Sequence, residues 1–261
     1  MLKIAVLGAG RMGREVIAAI ASSDDSELAA VWTRGDGAAG AGTLPAGAFA
    51  SSDLRQVLAD AEVAIDFSLP AATLQVLDAV TEAGKPLVCG VTGLGEDAMR
   101  RIEATAVSVP LLYDRNMSLG IAVLKDLVAR AAPCLQQFVA EVHETHHLHK
   151  KDAPSGTAIA LGEALAQSLG RDFADVYRYQ PGGAAERRTR EDIVFAVTRR
   201  GEVAGEHTVA FRSDAESLEL THKVSDRRVF AQGALQAARW LVTQPPGLYR
   251  MGDMMGAPPR N

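Results

Sequence analysis

The feature that most constrains this chain lies at its start. The apolar run Lys3–Leu7 leads directly into Gly8-Ala9-Gly10-Arg11-Met12-Gly13, and a helical pattern follows. A G-x-G-x-x-G pattern carries weight when it joins a strand to a helix, because each glycine then has a separate physical task. Gly8 permits the tight turn, Gly10 lets the backbone approach a pyrophosphate, and Gly13 allows close packing of helix on strand. The unpaired N–H groups at the start of the helix attract the phosphates. A dinucleotide is the expected occupant. The plainer alternative is a turn that only connects strand to helix.

Periodicity extends this reading through the first half of the chain. Short apolar runs at Lys3–Leu7, Leu28–Trp32, Val63–Phe67, Pro86–Cys89 and Pro110–Tyr113 alternate with helical patterns at Arg14–Ala21, Ala71–Ala83 and Asp97–Ala106. That alternation is the signature of βαβ units and a parallel sheet buried on both faces. The Gly- and Ala-rich stretch Gly35–Gly47 reads as a loop near the cofactor. After Tyr113 the pattern changes to a long helix over Leu119–Leu135, a strand over Phe138–His143, a polar His-rich loop and a helix from Thr157 to Ser168. Ile193–Thr198, His207–Phe211 and Leu218–Thr221 are strand-like with no helices between them, so an antiparallel or mixed sheet is expected there. Arg228–Val242 returns to helical spacing, and the tail Pro245–Asn261 reads as irregular chain.

Composition narrows the class. With 261 residues, 48% of them hydrophobic and 23% charged, the chain builds a sizeable core, and disorder does not fit. Its 27 basic and 32 acidic residues give a net charge of −5, which argues against general binding to nucleic acid or a membrane surface. Aromatics at 5% disfavour a base-stacking surface. Cys89 and Cys134 match neither a disulfide framework nor a C-x-x-C spacing. No apolar run reaches the ~18 residues of a membrane span, and the amino end lacks a signal-peptide pattern. A mature chain in a reducing cytoplasm, acting on a small molecule, is the expectation.

In the glycine fingerprint an acidic residue about 20 positions on usually grips the ribose 2′-hydroxyl, whereas an arginine suits a 2′-phosphate. Here that place holds Thr33 followed by Arg34, which tilts the choice towards NADPH over NADH, with Asp36 as the opposing charge. An ordinary surface cation is the alternative reading of Arg34.

The second concentration of chemistry is His143-Glu-Thr-His146-His147-Leu-His149-Lys150-Lys151-Asp152-Ala-Pro154-Ser155-Gly156-Thr157. It gathers four of the six histidines with two lysines. Imidazoles pass protons near neutral pH, and ammonium groups supply fixed positive charge and proton donors. Ser155 or Thr157 can cap the following helix, leaving N–H groups near Gly156 to hold a carboxylate. The segment reads as an acid-catalytic pocket for an anion. A metal site competes, because His-rich tracts bind metals. No cysteine is nearby, however, and the spacing is not H-E-x-x-H. A solvated polar loop is the second alternative, and His143 alone reads equally well as a core histidine.

These residues carry a resemblance. His146-His-Leu-His-Lys150-Lys-Asp-Ala-Pro-Ser-Gly-Thr157 resembles the signature of the 4-hydroxy-tetrahydrodipicolinate (dihydrodipicolinate) reductases of lysine biosynthesis. Gly8–Gly13, Asp66-Phe-Ser-Leu-Pro70, Gly90-Val-Thr92-Gly, Asn116-Met-Ser118-Leu-Gly120, Gly205-Glu-His-Thr208 and Thr221-His-Lys223 agree in order, so the resemblance spans nearly the whole chain. It implies that His146 relays a proton and Lys150 donates one. It also implies that His147, Ser155, Gly156 and Thr157 hold the substrate carboxylates, while Gly90, Val91 and Thr92 with Arg115, Asn116, Met117 and Ser118 line the nicotinamide side. Three departures stand out: Val91 in place of the family's threonine, Leu148 in place of its arginine, and an atypical segment over Arg178–Asp192.

The expected architecture is α/β. A Rossmann-like nucleotide domain spans residues 1–117 and is completed by 227–261, with an α+β substrate and tetramerisation domain over 118–226 inserted between. The resemblance implies NADPH- or NADH-dependent reduction of a cyclic dicarboxylate in the diaminopimelate route to lysine by a cytoplasmic homotetramer without a metal. Hydride addition is accompanied by loss of the hydroxyl as water, and domain closure brings donor and acceptor together. The rivals are a reductase of the same architecture acting on another amino-acid derivative, a non-catalytic nucleotide-binding regulator, and a metal-dependent hydrolase.

Overall fold

The structure is a computed structural model and describes residues 1–34, 44–179 and 189–256. Asp36, most of the Gly35–Gly47 stretch, and residues 180–188 of the atypical segment lie outside the described residues. The chain divides into two compact units, Met1–Ser118 with the chain from Arg227 onward, and Leu119–Asp226.

The first unit is built on seven strands: β1 (Leu2–Leu7), β2 (Ser26–Trp32), β3 (Phe49–Ser51), β4 (Val63–Asp66), β5 (Leu87–Cys89), β6 (Pro110–Tyr113) and β12 (Gly247–Tyr249). Their spatial order is β12-β6-β5-β4-β1-β2-β3, and every neighbouring pair is parallel. Such a sheet has its interior strands covered on both faces, which explains unbroken burial along Ile4–Leu7 and Val63–Asp66. The crossover helices are α1 (Arg11–Ala21), α2 (Leu54–Ala59), α3 (Thr73–Ala83) and α4 (Glu96–Ala106). Helix α1 buries Gly13, Val16, Ile17 and Ile20, the 3.6-residue stripe expected of a helix on a sheet. The chain order reverses between β1 and β4, the place where open α/β sheets hold their ligands beyond the strand ends.

The tail departs from the irregular chain expected of it. Gly247–Tyr249 extends the sheet beside β6, and the Tyr249 ring meets Trp240 edge-on at 5.1 Å between centroids. Three residues with no alternation carry no strand signal of their own; the free edge of β6 makes the strand. Arg250 then donates to the Tyr113 carbonyl at 2.7 Å, and the Met251 N–H approaches Asp114 Oδ2 at 3.4 Å. The tail thus fixes the turn that follows β6. The final helix, Arg228–Leu241, carries Gly233, where an added Cβ would lie 1.8 Å from the Met117 carbonyl oxygen.

The second unit has a mixed five-stranded sheet formed by β7 (Val139–His146), β8 (Tyr177–Tyr179), β9 (Ile193–Arg199), β10 (Gly205–Arg212) and β11 (Ser217–Val224) in the order β11-β10-β7-β9-β8. Strand β10 runs antiparallel to β7 and β11, while β7, β9 and β8 are mutually parallel. Helices α5 (Leu119–Ala131) and α6 (Gly156–Ser168) contribute Ile121, Leu124, Val128, Leu161 and Leu165 to a core shared with Val142, Phe195 and Phe211. Helix α5 stops four residues before the expected Leu135, because Pro133 has no N–H to continue it and the chain tightens into a 3-10 turn. Strand β7 runs three residues past the expected His143, held by pairs to β10 and, through His146 and Arg199, to β9.

Candidate active site

In the first unit the glycine turn sits at the carboxyl end of β1. Gly8 has φ +98°, a left-handed conformation that favours glycine, and an added Cβ would lie 2.9 Å from Ser68 Cα. The turns after β1 and β4 therefore touch at the switch point. Gly13 is also demanded by packing, since its Cβ would fall 1.8 Å from the Gly8 carbonyl oxygen. Gly10 differs from both. No described atom lies within 4 Å of its virtual Cβ, so nothing in the fold requires a glycine there. It is the N-cap of α1, makes no side-chain cap, and no acidic residue occupies the first turn. Bare N–H groups beside a position kept clear of side chains fit a pyrophosphate.

The other expected nucleotide residues follow strands of the same parallel sheet. Arg34 is exposed beyond β2, Gly90–Thr92 follow β5, and Arg115–Ser118 follow β6. Gly90 has a packing reason as well: an added Cβ would strike the Phe67 ring at 2.4 Å. Val91 and Met117 are buried, and Asn116 Oδ1 accepts from the Ser118 N–H at 2.9 Å. Beneath the switch point Asp66 is fully buried, with Oδ1 accepting from the Ser68 N–H at 2.8 Å and Oδ2 without a partner among the described residues. Burial raises its carboxyl to about 6 despite the bonds from Ser68.

The second unit assembles its site from strand alternation. On β7, Ala140 and Val142 face the core, and the period of two carries Glu144 and His146 onto the same face. On β9, Ile193 and Phe195 lead in the same way to Arg199, and on β10 Phe211 and Val209 lead back to His207. Three adjacent strands thus turn from apolar to ionisable at one end of the sheet. Helix α6 starts beside them, with Ser155 as its N-cap accepting from the Ala158 N–H at 3.2 Å.

At the centre lies Glu144. Both its carboxylate oxygens accept from the Ser155 N–H at 3.1 Å, and Arg199 Nη1 donates to Oε1 at 3.3 Å. Oε2 is 3.5 Å from His146 Nδ1 and 3.9 Å from His207 Nε2. The His146 and His207 rings meet edge-on at 5.0 Å, and His207 Nε2 is 3.4 Å from the Ser155 hydroxyl. Arg199 also donates to the carbonyls of Lys150, at 3.2 Å, and Asp152. Lys150 Nζ pairs with Asp152 Oδ2 at 2.8 Å. Burial, then the charges of Lys150 and Arg199, lower the His146 imidazole to about 4. Burial first, with His146 next, lowers His207 to about 3. Both rings are neutral at pH 7 in the free protein.

Of the residues singled out in sequence, His146, Lys150 and Ser155 are brought into this one network. His147 is half-buried with its ring 6.1 Å from that of His149. His143 is neither a core residue nor part of the network; it is partly exposed and pairs with Glu141 Oε2 at 2.8 Å. Glu144 and His207 appear in the sequence only as members of longer segments, and neither they nor Arg199 were expected as site residues. Extending the period of two from the apolar residues to the polar ends of each strand would have found them.

Two family models match the chain, described as "Dihydrodipicolinate reductase, N-terminus" over residues 2–117 and "Dihydrodipicolinate reductase, C-terminus" over residues 120–255. The chain belongs to the dihydrodipicolinate reductase family. A relative named 4-hydroxy-tetrahydrodipicolinate reductase from Halorhodospira halophila is 43% identical over 98% of this chain and 99% of its own length. One of the same name from Alkalilimnicola ehrlichii is 42% identical over 97% and 98%. The fold agrees with a solved structure titled dipicolinate-bound dihydrodipicolinate reductase from Paenisporosarcina sp. TG-14, at TM-score 0.75, 19% identity, and 96% and 97% coverage. Family membership makes the chain an oxidoreductase whose amino-terminal unit binds a nicotinamide nucleotide. Among the described residues no helix is long and apolar enough to cross a membrane.

Proposed function

We propose that this chain carries out the reaction for which its relatives are named, the nicotinamide-dependent reduction of 4-hydroxy-tetrahydrodipicolinate in the diaminopimelate route to lysine, with His146 and Lys150 managing the proton. The observation that carries this reading is the convergence of a buried imidazole, a lysine and a helix start at one end of the second unit's sheet. The reduced nicotinamide supplies a hydride. In balance, hydride and one proton enter, the ring hydroxyl leaves as water, and tetrahydrodipicolinate remains.

The residues divide that work. Lys150, held beside Asp152, is the proton donor, because the His146 ring of the free protein is a neutral imidazole rather than an imidazolium. A dianionic substrate raises the His146 pKa on arrival, so this ring relays a proton only when substrate is present. His147, Gly156 and Thr157 hold the carboxylates. Ser155, whose N–H donates to Glu144 and whose hydroxyl oxygen accepts from the Ala158 N–H, fixes the start of α6 and keeps its O–H for a substrate carboxylate. Gly156, first residue of α6, has no intrahelical acceptor for its N–H.

In the first unit, Gly8–Gly13 cradle the pyrophosphate, Arg34 meets the 2′-phosphate of NADPH, and Gly90–Thr92 with Arg115–Ser118 border the nicotinamide. The division into residues 1–117 with 227–261 and an inserted 118–226 follows from these tasks. A homotetramer in the cytoplasm, binding no nucleic acid, completes the proposal. The test follows nicotinamide absorbance with substrate made in place by the preceding synthase. Wild type oxidises the nucleotide only when substrate is present, and Lys150→Ala is slowed at least ~10-fold. Substrate-independent oxidation, or none, contradicts the reading.

A further inference from the structure

We propose that Glu144 is a positioning residue for this reaction: one buried carboxylate holds the carboxylate-binding helix start and the Lys150 segment together and faces the His146 ring as its counter-charge. The inference rests on the functional reading above.

The Glu144 side chain has no solvent exposure. A buried carboxylate is tolerated only when its charge and lone pairs are answered, so its partners are informative. It has two firm ones. The Ser155 N–H donates to both oxygens at 3.1 Å, which fixes α6 and with it Gly156 and Thr157. Arg199 donates to Oε1 at 3.3 Å, while its other nitrogens hold the carbonyls of Lys150 and Asp152. Glu144 thus reaches the anion pocket through Ser155 and the proton donor through Arg199.

The third neighbour is His146. Its Nδ1 is buried, completes no hydrogen bond among the described residues, and lies 3.5 Å from Glu144 Oε2. The other ring nitrogen is differently placed. At Gly205 an added Cβ would come within 3.2 Å of Nε2, so the missing side chain keeps that side clear. Nδ1 faces the carboxylate, and Nε2 lies on the other side of the ring, beside the position that Gly205 leaves without a side chain. The charged and titratable groups around the ring are Lys150, Arg199, Asp152, His147, His207 and Glu144. Asp152 is engaged with Lys150, which leaves Glu144 as the anion at Nδ1. A small ring rotation closes Nδ1–H onto Oε2, fixing the tautomer and stabilising the imidazolium when it forms.

The same atoms offer a rival. Glu144, His146 and His207 each present one ligand atom within 4.8 Å of the others, a spacing a divalent ion can draw together. Against it, N–H donors already engage both oxygens of the carboxylate, and two cations, Lys150 and Arg199, stand beside the ring.

The experiment uses the full chain as wild type, Glu144→Gln and Glu144→Asp. It measures kcat and KM across pH, NADPH affinity, metal content, and long-range 15N spectra of histidine-labelled protein. Glu144→Gln is expected to lower kcat at least ~10-fold with NADPH affinity within about twofold of wild type. The kcat limb reporting His146 moves to lower pH, because its protonated form loses its counter-charge. Glu144→Asp restores the limb in part, and wild-type His146 shows the Nδ1–H tautomer at neutral pH. An unchanged kcat, a lowered kcat with an unmoved limb, an Nε2–H tautomer, or stoichiometric metal each overturns the proposal. Should the variants fail to fold, the wild-type tautomer and metal content decide it. Loss of turnover in wild type strikes the functional reading instead, whereas normal wild-type turnover with an unaltered Glu144→Gln strikes this inference alone.

Discussion

The two units handle their ligands by opposite means. In the first, recognition is backbone work: a glycine turn, an uncapped helix start and strand ends of one parallel sheet, with the side chains at Gly8, Gly10 and Gly13 removed rather than supplied. In the second it is side-chain work, with ionisable groups from β7, β9 and β10 and a helix start meeting around one buried carboxylate. The glycine turn is encoded within six consecutive residues, Gly8–Gly13. A side-chain site is encoded over more than sixty, from Glu144 to His207. The glycine turn depends on side chains being left out, and the second site on side chains being supplied.

That contrast can be broken by variants that strike one unit and spare the other. The largest effect is expected for His146→Gln, which lowers turnover by ~10²-fold or more while leaving NADPH affinity unchanged, as steady-state kinetics beside fluorescence titration would report. Equal turnover refutes the assignment. Gly10→Val should give the converse, raising the NADPH dissociation constant at least ~10-fold through the blocked approach to the pyrophosphate. Its melting temperature stays within a few degrees, since open space surrounds Gly10. Gly13→Ala sharpens the point. Its Cβ would meet the Gly8 carbonyl, so melting temperature and affinity fall together. If Gly10→Val and Gly13→Ala behave alike, the separation of ligand glycine from packing glycine fails.

Arg34→Ala is a smaller change, several-fold in NADPH affinity with NADH affinity held, because the residue is exposed and its charge is screened. A matched loss for both nucleotides removes the 2′-phosphate role. The smallest effect is a difference in pH response. His146 and His207, lowered to about 4 and about 3, bind fewer protons folded than unfolded. Their contribution to stability is present above about 6.5 and is lost as pH falls towards those values. Asp66, raised to about 6, does the reverse: its folded form binds the extra proton between about 6 and 3.8, so acidification relieves a cost. Hydrogen-exchange protection, corrected for intrinsic rates, should therefore weaken in β7 and β10 relative to β1 and β4 between pH 7 and pH 5. Uniform loss contradicts the assignment of these shifts.

The same contrast explains what could be read from sequence. The parallel sheet was legible because its strands are buried on both faces and appear as continuous apolar runs, so Pro110–Tyr113 matched to the residue. The glycine turn was legible because three spacings and a position coincide. Strand β12 was not, since Gly247–Tyr249 acquires its conformation only by pairing with β6. Strand β3 and helix α2 were missed for a related reason: three and six residues hold too little periodicity to register. His146 and Lys150 stood out by crowding, whereas Glu144, Arg199 and His207 did not. Arg199 and His207 lie near strand ends among neighbours of ordinary composition, Glu144 is a lone carboxylate within a run of histidines, and all three gain their meaning from register: His207 pairs with Glu144, and Arg199 with His146.

The most direct test of the central claim follows the hydride itself. Wild type and His146→Gln would be supplied with synthase-generated substrate and nicotinamide nucleotide deuterated at the transferred position, and the product analysed by mass spectrometry. The account predicts tetrahydrodipicolinate carrying one deuterium from wild type, and little product from His146→Gln although it binds the nucleotide normally. Product without deuterium, or equal labelled product from both proteins, would contradict it.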